Sequence, residues 1–575
     1  MTARGRRAAA LSAFGLLSLA LFWISRGKWA DPLIDSGREW IVPDTLARGG
    51  LLYRDVVYWF GPLTPYWQAA FLRLFGSGFG SLVLSGAAAS IAILLLLWTV
   101  LRRVTGRAEA ALWTLLSIPA LVFMPNAGGA LLGMGYRIWH AAAFALAAVA
   151  IASAAPRSKS ALGALATGAC AALAGLCRTE WGLAALAAAV LALWLGPRAG
   201  RRGLADPAAA ALGFAAVFAL GVGVFLLAAG PSAVIADGHV LLTGLPTETR
   251  HFLFAFSGVR DWRGGLIELV YSTAMWVGLF ALAALLAARP AERRRRARAL
   301  GAILAVLVLA AAFGGAGGAV LFSASPLVCL AGLIVGIRRR GGAAGAALAA
   351  CGLLGFLVDY RRPFHIGDSA YVGPPLLFAF VCAAGLVRLA TARERAHQPR
   401  RRMGAALRWT IAALVALATA GRVWQYATLE SSPIAGTSGM LGARPELARE
   451  IEALGRTIRD RTRADGGLVV FPEGELLNLL SGRANPVRHK LYLPGYLTDG
   501  NEPAVLAELE STRPEAIVIW HRPTSEYGRD FFGRDYARSI RDWIGRNYRL
   551  TPFRAPGTPR RTNPRFTIGL RREGS

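Results

Sequence analysis

Long apolar runs separated by short polar connections recur from the N-terminus to about residue 421 and then stop. The runs are Ala8 to Ile24, Leu82 to Leu101, Ala110 to Met124, Ile138 to Ala155, Ala161 to Leu176, Trp181 to Leu195 and Ala208 to Ala229, followed by Leu266 to Ala288, Leu300 to Phe313, Val320 to Ile337, Ala343 to Val358, Val372 to Leu389 and Trp409 to Ala420. Crossing the ~30 Å hydrocarbon layer of a bilayer takes about 20 helical residues, and most of these runs reach or approach that length. The pattern predicts about thirteen transmembrane helices, those starting at Ala110, Ala161 and Leu300 being the weakest. From about Gln425 the pattern changes. Arg444 to Ala464 has helical periodicity, Gly467 begins a buried strand, Pro503 to Ser511 is a helix, Glu515 begins a second strand, Tyr536 to Tyr548 is a helix, and Phe566 to Leu570 closes a small α/β layer. The predicted organisation is a membrane domain, 1-424, with an outer loop at 27-80, and a soluble domain, 425-575.

Charge sets the orientation. Basic clusters at Arg4 to Arg7, Arg102 to Arg107, Arg157 and Lys159, Arg198 to Arg202, Arg293 to Arg296, Arg338 to Arg340 and Arg393 to Arg402 fall at every second connection. The positive-inside rule then puts the N-terminus in the cytoplasm and the soluble domain outside. The basic start and first apolar run resemble a signal peptide, but no clear small-residue cleavage site follows, so a retained anchor is expected. The net charge of +30 does not indicate nucleic acid, because the arginines are divided among these connections rather than gathered on one soluble face. The five cysteines lie in or beside apolar runs, without metal spacing or a disulfide framework.

The distinctive polar residues are thereby predicted to share the outer side. The first outer loop holds Asp31, Asp35, Glu39, Asp44 and Asp55 among aromatic residues, glycines and prolines. Carboxylates this close to hydrocarbon are costly, which makes the loop a candidate site; a solvated loop with capping acids is the competing reading. Asp35 and Asp55, each beside arginine and aromatic residues, are the best-placed bases for transfer to a hydroxyl or amine. Arg361, Arg362 and His365 form a cationic cluster suited to phosphate, the alternatives being lipid headgroups or pairing with Asp359 and Asp368. Arg178 and Glu180 are either ligand contacts or an ion pair that fixes two span ends, and Arg137 and His140 are similar. Glu248, Arg250, His251 and Asp261 mark a polar outer loop with no assigned catalytic role. The absence of GxxxxGK, HExxH and dinucleotide fingerprints argues against a soluble nucleotide-dependent enzyme.

The stretch from Asp35 to Glu39 followed by LARGGLLYRDVVYWFGPLTPYW resembles the GT-C superfamily of polyprenyl-phosphate-sugar-dependent glycosyltransferases, in the bacterial branch related to protein O-mannosyltransferases and lipid A aminoarabinose transferases. The resemblance implies a polytopic α-helical membrane protein of GT-C type with a small C-terminal α/β extracytoplasmic domain, lodged in the bacterial inner membrane. It implies inverting transfer from a polyprenyl-phosphate-linked sugar donor to an envelope glycan, lipid or protein acceptor. Asp35 would be the base, while Arg361, Arg362, His365, Tyr371 and Pro374 would hold the leaving phosphate. The family's acidic pair is Asp-Glu, whereas here Ser36 and Gly37 follow Asp35 and Glu39 comes later. The stretch PEGELLNLLSGRANP from Pro472 resembles the outer domain of bacterial members, with a role in acceptor selection. No cofactor is required, although a divalent Mg²⁺ or Mn²⁺ bridging Asp35 and Asp55 is compatible. The readings from other classes are a transporter or flippase of a lipid-linked glycan and a non-catalytic envelope assembly protein.

Overall fold

The computed structural model describes residues 3–125, 128–132, 135–154, 161–196, 204–238, parts of 263–274, 323–360, 373–394, 400–556 and 563–572. Most apolar runs are helices: Ala3–Ser25, Phe79–Val104, Tyr136–Ala152, Leu162–Cys177, Thr179–Leu195, Ala205–Ala228, Ser325–Arg338, Ala343–Asp359, Gly373–Glu394 and Arg400–Thr428. The run from Ala110 is different. Helix Arg107–Ser117 widens into a π-helical turn over Ile118–Val122, where Pro119 has no N–H to give an α-helical ladder. The spans expected at Leu266 to Ala288 and Leu300 to Phe313 lie mostly or wholly outside the described residues. Among the described helices, Phe79–Val104 and Ala205–Ala228 are by themselves long and apolar enough to cross a bilayer. Leu212, Leu220 and Leu227 lie exposed along the second of these.

Small residues let the helices approach closely. A Cβ on Gly168 would lie 1.8 Å from the Ala210 carbonyl oxygen, so helices Leu162–Cys177 and Ala205–Ala228 meet backbone to backbone there. Leu97, Ala145, Ala185, Ala347 and Phe378 belong to one continuous buried core running through the bundle.

After Arg400–Thr428 the chain forms a two-residue ladder of β1 (Ser432–Pro433) with β2 (Gly442–Ala443), then helix Pro445–Arg461. A four-stranded sheet follows in the order β3-β4-β6-β5, with β3 at Leu468–Phe471, β4 at Ala516–Trp520, β5 at Tyr548–Phe553 and β6 at Phe566–Arg571. β3 and β4 are parallel, which requires the long crossover carrying helices Leu476–Ser481 and Glu502–Thr512; β6 joins antiparallel on both sides. The sequence pattern does not predict β5. It is an edge strand with exposed residues and Pro552, where a missing N–H is tolerated.

The alternation of side chains along the strands decides how this layer sits. Val469, Phe471, Ile517 and Ile519 face Ile540 and Trp543 on one side. Leu468, Val470, Ala516 and Val518 face the other, and there they share a core with Trp29, Leu33, Trp40 and Leu46 of the first outer loop. The outer loop is therefore built into the C-terminal domain. Arg488 ties the seam further: its guanidinium donates to the Arg54 and Tyr53 carbonyls at 2.9 and 2.8 Å and pairs with Asp237 at 2.5 Å.

Candidate active site

Helix Ser36–Ala47 begins at Asp35, which has φ 61° and ψ −32°. A non-glycine residue in this half of backbone space is strained and persists only where the surroundings hold it. Arg38, one turn on, is what holds the side chain, its guanidinium lying 2.6 Å from Asp35 Oδ1. The next residue, Glu39, is buried between Arg38 at 3.4 Å and Arg137 at 3.3 Å. Burial pushes its carboxyl up and the two guanidiniums pull it back. Arg137 also stacks its guanidinium on Phe60, 3.8 Å from the ring centroid.

The C-terminal domain closes over this turn. A Cβ on Gly37 would lie 2.6 Å from the Leu476 amide nitrogen and 2.8 Å from that of Glu475, so only a glycine allows the helix start to lie against the 472–476 backbone. That contact brings in two more acids. Glu473 is fully buried and lies 2.8 Å from Arg522 Nε, an ionic contact whose angle falls outside hydrogen-bond geometry. Burial raises its carboxyl well above the ordinary range, with Arg522 opposing. Glu475 is pushed up to about 7, chiefly by burial, with backbone amides and Arg38 opposing and Asp35 adding to the rise. A cleft between the two parts is lined by Arg38, Tyr58, Trp59, Phe60, Lys490 and Tyr496. Trp59 stacks on Tyr496 at 3.6 Å across the seam, and burial lowers Lys490 to about 8.

Of the residues singled out in the sequence, Asp35 and Glu39 are thus linked through Arg38, and Arg137 joins them through Glu39. Asp55 is engaged elsewhere. It accepts from the Leu51 amide at 2.8 Å and pairs with Arg54, which holds its carboxyl below the usual range. The same turn occurs at Phe531 to Tyr536, where Asp535 accepts from the Phe531 amide at 2.9 Å and pairs with Arg534. At both places the Arg-Asp unit closes a turn of the backbone. Arg178 and Glu180 pair with each other at the start of helix Thr179–Leu195, with Arg178 also 5.5 Å from the Phe60 ring centroid. His140 lies 3.2 Å from the Thr64 hydroxyl. Arg361, Arg362, His365 and Tyr371 lie outside the described residues, as do Glu248, Arg250, His251 and Asp261. Among the described residues no group of three or more His, Cys, Asp or Glu is placed to hold a metal ion.

Arg38, Tyr58, Lys490 and Arg522 were not expected from the sequence. No spacing links them, since they come from three separate segments; the one available signal was the acid-glycine-acid turn at Glu473 to Glu475, directly after a buried strand. The raised Glu475 carboxyl has a consequence for stability. Because the folded chain holds this proton above the unfolded value near 4.5, the contribution is fully present below pH 4.5 and is lost as pH rises towards about 7. The free energy of unfolding, measured by chemical denaturation across pH 4.5 to 8, should fall further for the native chain than for Glu475→Gln, by an amount on the order of 3 kcal/mol. Equal slopes would show that the group is not a buried proton holder.

No family model matches the chain, and no curated protein is significantly similar to it. Solved structures do resemble it. ArnT from Cupriavidus metallidurans bound to undecaprenyl phosphate superimposes with a TM-score of 0.54 at 12% identity, over 100% of this chain and 99% of that one. The same protein in its apo state gives 0.52 at 12% identity over 98% of both chains. The oligosaccharyltransferase AglB from Archaeoglobus fulgidus, in complex with an inhibitory peptide and a dolichol-phosphate, covers 90% of this chain and 70% of its own at a TM-score of 0.45 and 16% identity. Over almost its whole length the chain, a bundle of apolar helices followed by a small α/β domain, has the fold of that ArnT structure.

Proposed function

We propose that the chain is a membrane glycosyltransferase that moves a sugar from a polyprenyl-phosphate donor to a cell-envelope acceptor on the outer side of the inner membrane. The observation that carries this reading is the strained, arginine-clamped Asp35 at the seam between outer loop and C-terminal domain, beside a cleft lined by cations and aromatic rings. The ArnT fold supports it, and that ArnT was solved with undecaprenyl phosphate bound.

The chemistry follows from the donor. A polyprenyl chain stays in the bilayer, so its phosphate waits at the surface and the reacting groups must be there too. Asp35 takes the proton of the acceptor hydroxyl or amine as that atom attacks the anomeric carbon. The anomeric C–O bond breaks with its electron pair on the phosphate, and attack from the opposite face inverts the centre. Arginines aimed at the leaving phosphate, for which Arg361 and Arg362 are the candidates, favour the transition state more than the ground state. The purified protein, incubated with a panel of polyprenyl-phosphate sugars and an envelope extract as acceptor, should release free polyprenyl phosphate. Movement of donor across vesicles without bond cleavage, or no release from any donor, would sink the enzyme reading.

A further inference from the structure

The acids of the first outer loop other than Asp35 are already occupied. Asp31 accepts from the Leu33 and Ile34 amides, at 2.8 and 3.0 Å. Glu39 lies between Arg38 and Arg137, Asp44 holds Arg48 at 2.7 Å and accepts from Ser77, and Asp55 is closed into its own turn. The loop therefore gives Asp35 no neighbouring carboxylate that is free to exchange a proton. The C-terminal domain does. Glu475 is 1% exposed; its Oε2 accepts from the Gly474 amide at 3.2 Å, and its Oε1 is buried with no hydrogen-bond partner among the described residues. An unsatisfied buried carboxylate oxygen is costly, and a proton, an ordered water or a ligand at Oε1 would each satisfy it. Its backbone lies against the Asp35 turn at Gly37, and the charges acting on it are Asp35 and Arg38 from the loop, with Lys490 also coupled to it from beyond the turn. Glu473 is the other acid of the turn; it faces Arg522 Nε at 2.8 Å, and both its oxygens are likewise buried without a hydrogen-bond partner among the described residues, so Glu475 differs from it in facing the loop without a guanidinium ion pair of its own.

We propose that Glu475 is the second acid of the active site, a positioning residue that acts through Asp35 and receives the proton that Asp35 removes from the acceptor. The inference rests on the glycosyl-transfer reading above and adds that the C-terminal domain is half of the catalytic centre. The acceptor X–H bond breaks and X–C1 forms; the C1–O bond breaks with its pair on the polyprenyl phosphate; the proton passes from Asp35 to an ionised Glu475 and then to water before the next turnover. A carboxyl titrating near neutrality suits this task, being able both to take and to release the proton at working pH.

The test is a comparison of the native chain with Glu475→Gln, Gly37→Ala and Asp35→Asn in the transfer assay from pH 5.5 to 8.5, with melting temperature as the check on folding. Glu475→Gln should lower kcat by about 10- to 100-fold with KM changed far less, and should abolish the limb of the pH–rate profile near neutrality. Gly37→Ala keeps both acids but pushes the 475–476 backbone away, and should lower kcat in the same way. Native kcat in Glu475→Gln, or a slower enzyme whose pH profile is unchanged, would overturn the proposal while leaving Asp35 as base. A native chain that transfers from no donor refutes the glycosyl-transfer reading itself and takes the role of Glu475 with it.

Discussion

Replacing Asp35 by asparagine is expected to lower transfer by on the order of 10³-fold while leaving the melting temperature nearly unchanged. Asparagine is the informative substitution because it keeps the size of the side chain and tolerates φ 61° better than most residues, so the helix start survives. Its carboxamide oxygen still accepts from Arg38, which at 2.6 Å is the contact that orients the side chain. What is lost is the ability to take a proton. Alanine at the same place would confound loss of the base with backbone strain. Polyprenyl-phosphate release by the purified variant decides the matter, and full retained activity would remove Asp35 from the base role.

Arg137→Met is expected to destabilise the protein by about 3–5 kcal/mol, because it removes one of the two guanidiniums that balance a buried Glu39. Methionine keeps much of the apolar stem's packing, so the loss reports the charge and the contact with Phe60. Combining it with Glu39→Gln should restore a large part of that stability, since the uncompensated charge is gone; thermal melts of the four proteins of this cycle measure the coupling. The same cycle separates two roles for Arg137. If it only braces the helix start, the double variant transfers sugar at a rate close to that of Glu39→Gln. If it grips the donor phosphate, the double variant is stable and inactive.

These two residues show what could be read from the chain order and what could not. The alternation of apolar runs with arginine clusters was enough to predict the long apolar helices that the structure describes, because desolvating a helix face and placing charge outside hydrocarbon are local constraints with local signatures, whereas helices Ser36–Ala47, Leu63–Phe75 and Pro231–Asp237 lie in segments read as loops. The strands β3, β4 and β6 were legible for the same reason: buried central strands are short apolar runs. β5, at the sheet edge, has no such signature. Asp35 stood out because an acid beside Gly37 and Arg38 in an aromatic loop is unusual locally. Asp55, in equally suggestive company, lies in a turn that recurs at Asp535, and only the hydrogen bonds reveal this.

By itself the sequence determined most of the long apolar helices, three strands of the small α/β layer after them and the acid-rich segment after the first helix as the place to look. Only the tertiary structure decided which charges share a site. Glu475 and Arg522 are hundreds of residues from Asp35, and what joins them is the burial of Trp29, Leu33 and Trp40 against one face of the C-terminal sheet. Burial of that kind carries no spacing signal, because apolar surfaces far apart in the chain associate without directional preference. The perturbed acids at the seam are its electrostatic consequence: carboxyls drawn out of water where two apolar faces close over them.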